Sequence, residues 1–289
     1  MARQEKVSLL REAVAPQAGE ITSSHAQSRR GVGTETLVDV GLRVGSILSL
    51  VFVWWLLSLV FPPTLVPKPW ETFAEVATIL GAGDFFMEMG STLRRVLVGF
   101  GFAMALSIPL GILMGTLKGL ESFFEPPVIL GLTMPGLIWA VLMIMFFGLT
   151  ETSAYAAVAV TILPMLTINI WQGTKSIDKD LIDMSNVFHA SVWSKVVDVI
   201  LPQLVSHILA AIRYGLGLAW KVVVVVEMFG FSNGVGYQVV RGFNVFSMKS
   251  VLAWTITFLV VMIIIEFGII GWLERNVTRW RPRIETWRR

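Results

Sequence analysis

Three ionisable residues, Arg213, Lys221 and Glu227, fall in one otherwise apolar run between Leu204 and Met228; a fourth, Glu266, falls in the last apolar run. Inside a bilayer each such group costs about 2.5–3.5 kcal/mol on insertion scales, so it must face protein, water or a charged solute. At roughly 100° per residue, with Arg213 as origin, Lys221 lies near 80° and Glu227 near −40°, so all three share about a third of the circumference. That pattern predicts that they face inward together. Two roles fit Lys221: a cation beside a water-filled path, favouring an anionic solute, or an internal ion pair with Glu227 or Glu266 that locks helices together. Arg213, nearer one end of the run, has snorkelling as a sufficient explanation. Trp139, Trp220 and Met134 are further candidates for lining a path, with plain packing as the alternative for buried tryptophans. Bond-making chemistry is not indicated. No GxxxxGK followed by Ser or Thr is present to hold phosphates, nor any nucleophile–base constellation, and with no cysteine and three scattered histidines no catalytic residue and no metal site is expected.

The other chemically distinctive stretch is Leu181 to Pro202, LIDMSNVFHASVWSKVVDVILP, a polar interruption between apolar runs. Met184, Val187, Phe188, Val192, Val196 and Ile200 recur at helical spacing, so one face is apolar. Asp183, Asn186, Ser194, Lys195 and Asp198 surround it with polar groups. Periodicity alone leaves two readings open, a helix docked in a partner's groove or one resting on the lipid surface.

Positioning these residues is the work of membrane helices. The chain has 289 residues, 55% hydrophobic and 15% charged, with mean hydropathy +0.72, which excludes an ordinary soluble domain and a nucleic-acid binder. With roughly 20 apolar residues needed per crossing, six spans are predicted: Val44–Phe61, Val96–Leu117, Pro126–Leu149, Ser153–Gly173, Leu204–Met228 and Val251–Leu273. The first ends at PPTLVPKP, which cannot continue a helix, and Trp70–Leu80 follows as a short amphipathic surface helix. Glycines 99, 101, 111 and 115 with prolines 109, 127, 135 and 164 fit close helix approach and kinks. The fold class is therefore an all-α, six-span integral membrane protein. Residues 1–40 read as a disordered cytoplasmic tail, 41–274 as the membrane domain with its polar loop at 175–202, and 275–289 as a basic cytoplasmic tail. Basic residues concentrate in both tails and in the loop, which puts these on the cytoplasmic side. The pair Arg94–Arg95 stands against the trend and reads as surface-lying sequence before the second span begins.

Within this frame Asp183-Met184-Ser185, His189-Ala190-Ser191 and Ile200-Leu201-Pro202 follow the register of the "EAA" loop of ABC importer permeases, Glu-Ala-Ala, three residues, Gly-Ala-Ser and, about ten residues on, Leu-Pro. STLRRVLVGFGFAMALSIPLGILMG (Ser91–Gly115), AAIRYGLGLAWKVVVVVEMFG (Ala210–Gly230), GVGYQV (Gly234–Val239) and LVPKPWE (Leu65–Glu71) also resemble that family. The likeness extends over Leu48 to Pro282 and is nearest to the nitrate, sulfonate, taurine and bicarbonate branch. Two departures stand out: His189 occupies the family's glycine, and LTMPGLIWAVL has fewer prolines than its counterparts.

The resemblance implies a type I importer permease in the bacterial inner membrane, with both termini cytoplasmic, that moves a small anion by alternating access. Implied partners are a second copy, two cytoplasmic ATPase subunits, a periplasmic or lipid-anchored binding protein, and lipid. ATP and Mg would be bound by the ATPase, leaving this chain without a cofactor or enzymatic activity. The ATPase-coupling residues would be Asp183, Met184, Ser185, Val187, Phe188, His189, Ala190, Ser191 and Pro202. Two rivals remain in view: an ion-coupled carrier working without an ATPase, in which Lys221, Glu227 or Glu266 binds the coupling proton, and a membrane scaffold or sensor that carries nothing.

Overall fold

The computed structural model describes residues 40–272 and Asn276, and every regular element among them is helical. The tails assigned to 1–40 and 275–289 lie outside the described residues, but for Val40 and Asn276, as does Leu273 of the sixth predicted span. The chain divides after Pro69 into two compact units.

The first unit contains α1 (Val40–Val60), an apolar helix of membrane-spanning length. Pro62 and Pro63 stop it, since a proline ring blocks the preceding turn. The chain then folds back on itself, with Leu65 and Val66 N–H groups donating to the Pro62 carbonyl at 2.9 and 3.0 Å. Trp54 Nε1 donates to the Pro67 carbonyl at 3.1 Å and pins that turn to the helix.

The second unit begins at Trp70, inside α2 (Pro69–Gly81), where proline at the first helical position suits its fixed φ. Next comes α3 (Asp84–Thr116), which at 33 residues is about 50 Å long and exceeds a hydrocarbon core of about 30 Å. Its partner is α6 (Glu151–Lys175), opened by a capping box in which Thr150 and Ser153 satisfy each other's end of the helix. Ala154, Ala157, Val158, Ile162, Leu166 and Ile170 of α6 are fully buried, which makes this helix the centre of the core. Gly99 and Gly111 of α3 let the two backbones meet. A methyl group on them would lie 2.6 Å from Val158 Cβ and 2.8 Å from Ile170 Cβ, inside van der Waals contact.

The third predicted span, Pro126–Leu149, is two helices rather than one. α4 (Lys118–Thr133) and α5 (Gly136–Phe147) meet at a bend of 100°. Pro135 is the cause: it lacks an N–H and drives the residue before it out of the helical region, and Met134 is extended at φ −72°, ψ 129°. Among the described residues, five helices thus have the length and apolarity to cross a membrane, or six if the bent pair counts as one crossing.

The loop helix α7 (Lys179–Val187) leads to α8, which runs unbroken from Val192 to Met228 instead of starting near Leu204. Pro202 lies inside it. Wider π-type turns over Lys195–Ile200 precede the ring, so Leu201 N–H bonds five residues back to Val196. Gln203 Nε2 supplies the Val199 carbonyl at 3.2 Å. The short α9 (Val235–Asn244) and then α10 (Met248–Ile263), which continues in wide turns over Ile264–Ile270, complete the unit.

Candidate functional site

The loop between α6 and α8 is built from caps. Asp178 caps α7 by accepting from Asp180 N–H at 3.0 Å. At the other end His189 N–H donates to Asn186 O and Ala190 N–H to Ser185 O, both at 3.0 Å. That pair of bonds is a Schellman termination, and it needs a left-handed residue at the position His189 fills, usually glycine. His189 takes it with φ 51°. The sequence departure is therefore absorbed by a strained histidine without a change of turn. Ser191 then caps α8, its Oγ accepting from Ser194 N–H at 3.1 Å, and Lys195 Nζ ties the two arms through Asn186 Oδ1 at 2.7 Å.

The apolar stripe expected on this loop is divided. Ile200 is buried among Ile170, Ile177 and Leu204, with Val196 and Ile182 packed against them. Ser185 is also buried, donating to the Ile182 carbonyl at 2.6 Å, so it belongs to the inward side and not to a docking surface. Met184, Val187, Phe188 and Val192 point outward, joined by Trp193, which the periodicity left out. Val187, Phe188, Val192 and Trp193 are each 76–78% exposed. Asp183, His189, Ser191 and Pro202 are exposed as well, while Ala190 is half-buried.

The charged residues of α8 do not face one way. Arg213 and Lys221 line a cavity of about 340 Å³ together with Gly217 and Glu266. Glu227 is 1% exposed and sits elsewhere, in an ion pair with Arg95 at 2.7 Å. Among the described residues, neither Glu227 nor Glu266 forms a salt bridge with Lys221, so the helix-locking pair is Arg95–Glu227 and not one made by the lysine. Trp220, also 1% exposed, packs edge-on against Phe258 with ring centres 5.6 Å apart, a core position. Trp139 is half-buried and donates across the α4–α5 bend to the Gly131 carbonyl at 3.4 Å; Met134 is half-buried at the bend itself.

Arg95 corrects the reading of Arg94–Arg95 as surface sequence. Helix α3 starts eleven residues earlier than Arg95, and only Arg94 is exposed, at 56% against 1% for its neighbour. The Arg95 guanidinium donates to Glu151 through Nε at 3.0 Å and Nη2 at 2.7 Å, to Glu227 at 2.7 Å, and to the Asn233 carbonyl at 3.0 Å. The Phe231 ring lies 4.5 Å from its carbon.

The same cluster caps α9 from outside. Gly234, the residue before that helix, has φ 106° and no side chain to offer. Gly234 N–H goes to Glu88, Val235 N–H to Thr92 Oγ at 2.9 Å, and Gly236 N–H to Glu227 Oε2 at 2.9 Å. Carboxylates at a helix N-terminus are favourable in charge as well as in bonding. Gln238 closes the set on Glu88 at 2.8 Å. Sequence reasoning missed Glu88, Thr92 and Arg95. A signal was present: they are spaced i, i+4, i+7 and continue the buried face that Gly99, Ala103 and Ser107 carry onward.

Residues 107–279 match the family of binding-protein-dependent transport system inner membrane components. The chain belongs to that family. Among curated relatives of this permease, the taurine transport system permease protein TauC of Escherichia coli K12 is 26% identical over 86% of this chain and 92% of its own. The putative aliphatic sulfonates transport permease protein SsuC of Bacillus subtilis 168 is 29% identical over 77% and 80%. The nitrate import permease protein NrtB of Synechococcus elongatus is 25% identical over 66% and 72%. In fold, the permease matches a chain of the MetNI methionine ABC transporter solved in inward-facing conformations, with a TM-score of 0.57 at 19% identity over 68% of this chain and 95% of that one. The architecture expected from the loop motif is that of an ABC importer permease, and the family match and the fold agree on it.

Proposed function

We propose that this permease forms, with a second copy of itself, the membrane channel of an ATP-driven importer for small oxyanions, in the inner membrane with both termini in the cytoplasm. The observation that carries the reading is the exposed apolar tip of a polar loop, Val187, Phe188, Val192 and Trp193, held by a capped turn. Exposed clusters of large apolar residues mark interaction sites. Two cytoplasmic ATPase subunits, which hold ATP and Mg, grip one tip each. Their closure favours one conformation of the pair, and release favours the other, so that access alternates. A binding protein delivers solute on the opposite face, a reading supported by the family's description as binding-protein-dependent. Aliphatic sulfonates and nitrate, named in two of the relatives, are small anions, and taurine, named in the third, carries an anionic sulfonate group; the cations Arg213 and Lys221 supply a field that favours such groups.

The test is solute uptake and ATP hydrolysis in proteoliposomes holding the permease with its ATPase and binding protein. Asp183→Lys, or a bulky residue in place of Ala190, is expected to leave membrane insertion intact while uptake no longer follows hydrolysis. Normal coupling in both variants would overturn the docking role. Uptake by the permease alone, with no ATPase present, would establish the ion-coupled carrier instead.

A further inference from the structure

The two roots of the polar loop are tied to each other by side chains that its exposed tip does not use. The chain leaves α6 through Ser176, Ile177 and Asp178 and returns as α8. Ile177 is buried with Ile170, Ile200 and Leu204, which holds the roots together but leaves their register soft, because apolar contact is non-directional. Hydrogen bonds are directional, and two of them flank that plug. Gln203 Oε1 accepts from the Asp178 N–H at 3.2 Å, while its Nε2 donates to the Val199 carbonyl at 3.2 Å. One amide thus joins the cap of α7 to the wide turns over Lys195–Ile200. One turn further along α8, His207 Nε2 lies 3.3 Å from Ser176 Oγ. The serine hydroxyl spends its proton on the Gly173 carbonyl at 2.8 Å, so the imidazole is the donor. Gly173 makes room for that ring, since a methyl group there would lie 2.6 Å from His207 Cγ. Gln203 and His207 are i and i+4, on one face of α8, and both are half-buried.

We infer that Gln203 and His207 are positioning residues for coupling: they lock the end of α6 to the root of α8, so that a displacement of the loop tip carries both helices as one piece. These roles rest on the importer reading above and specify which membrane helices the loop moves. Without the two bonds the tip would keep its shape, because its own contacts, the Asp178 and Ser191 caps and the Lys195–Asn186 bond, are separate. What would be lost is the register of α8 against α6, the helix at the centre of the core. A merely structural role predicts lower stability with unchanged coupling. The positioning role predicts lost coupling in a permease that still folds and still binds its ATPase.

The test uses proteoliposomes holding the full-length permease with its ATPase and binding protein, and as probe whichever of taurine, ethanesulfonate and nitrate the unaltered assembly accumulates. Gln203→Leu and His207→Leu are each expected to cut uptake per ATP hydrolysed roughly threefold or more, the size of effect expected of residues that carry coupling, with ATPase affinity unchanged. His207→Gln, which keeps an N–H donor, should stay close to normal. Because the protein has no cysteine, Ser176→Cys with His207→Cys gives one defined thiol pair. Its coupling should be low with free thiols and return when a short bis-methanethiosulfonate bridges them. Unchanged coupling in both leucine variants overturns the proposal, as does a bridge that halts uptake, since the roots would then have to part in each cycle. Weakened ATPase binding by either leucine variant overturns it too, by placing these side chains in the docking surface. An unaltered assembly that binds no ATPase or accumulates none of the probes would sink the importer reading instead. The clamp itself is read separately, on the permease alone: Gln203→Leu should quicken hydrogen exchange of the Asp178 amide, and an unchanged rate would mean that the bond holds nothing.

Discussion

The two ends of α8 invert the usual division of a protein surface. At the Val192 end, large apolar side chains are exposed, and the loop is held by short polar contacts and by its inward residues Ile182, Val196 and Ile200. At the Met228 end, three helices bury an arginine and two carboxylates and satisfy them with one another and with the backbone of α9. One end withholds its polar groups for itself, and the other offers its apolar groups to something else. The buried end fixes where α8, α9 and α3 meet, while the exposed end has little internal reason to be as apolar as it is. Between them runs a single rod of 37 residues, about 55 Å long.

The sharpest way to break this contrast is to strip a charge from the buried end. Arg95→Ala leaves the buried Glu227 without its cation, and a loss of about 3–5 kcal/mol is expected, read as a lowered unfolding midpoint in nanodiscs; Glu227→Ala, after which Arg95 keeps Glu151 and the Asn233 carbonyl, should cost less. Because both act in one cluster, the double variant should lose much less than the sum of the two. Additive losses would mean that the pair is not a unit. The exposed end predicts the opposite pattern. Phe188→Asp or Trp193→Ser should shift stability by no more than about 0.5 kcal/mol yet weaken ATPase binding by about 2 kcal/mol, roughly thirtyfold. If either substitution destabilised the isolated permease as much as the Arg95 change, the tip would be core and not interface. Of intermediate size, Gly99→Leu should cost about 1–3 kcal/mol by overpacking against Val158, whereas Gly101→Leu, with open space around it, should be close to neutral.

The two ends were unequally legible in the sequence. Helical repeats of apolar residues report what a helix can bury, so the spans and the existence of an amphipathic loop followed directly from spacing. The loop's division into an inward half at Ile182, Val196 and Ile200 and an outward half at Val187, Phe188 and Val192 did not, because both halves are apolar and only the fold distinguishes them. The buried cluster was harder still. Arg95 was read by its charge as surface-lying, and its partners Glu151 and Glu227 lie 56 and 132 residues away along the chain. No local pattern encodes such a meeting. Pro135 was visible as a kink, but its 100° size depends on Met134 taking an extended backbone. At 100° per residue Arg213, Lys221 and Glu227 fall on one third of α8; an arc that wide spans two neighbours, one a cavity and the other a packed helix.

The smallest effect tests whether the tip's shape belongs to its turn or to its side chains. A left-handed backbone costs an L-residue about 1–2 kcal/mol, and glycine forfeits about 0.5–1 kcal/mol through its freer unfolded chain. His189→Gly is therefore expected to stabilise the loop by up to about 1 kcal/mol, read as slower hydrogen exchange of the α7 amides, with ATPase coupling unchanged. His189→Val places a β-branched residue at φ 51°, where crowding is worst, so exchange should quicken and coupling weaken although no core contact is touched. If both variants loosened α7 equally, the histidine ring itself would be holding the turn, and the exposed end would have a polar lock of its own.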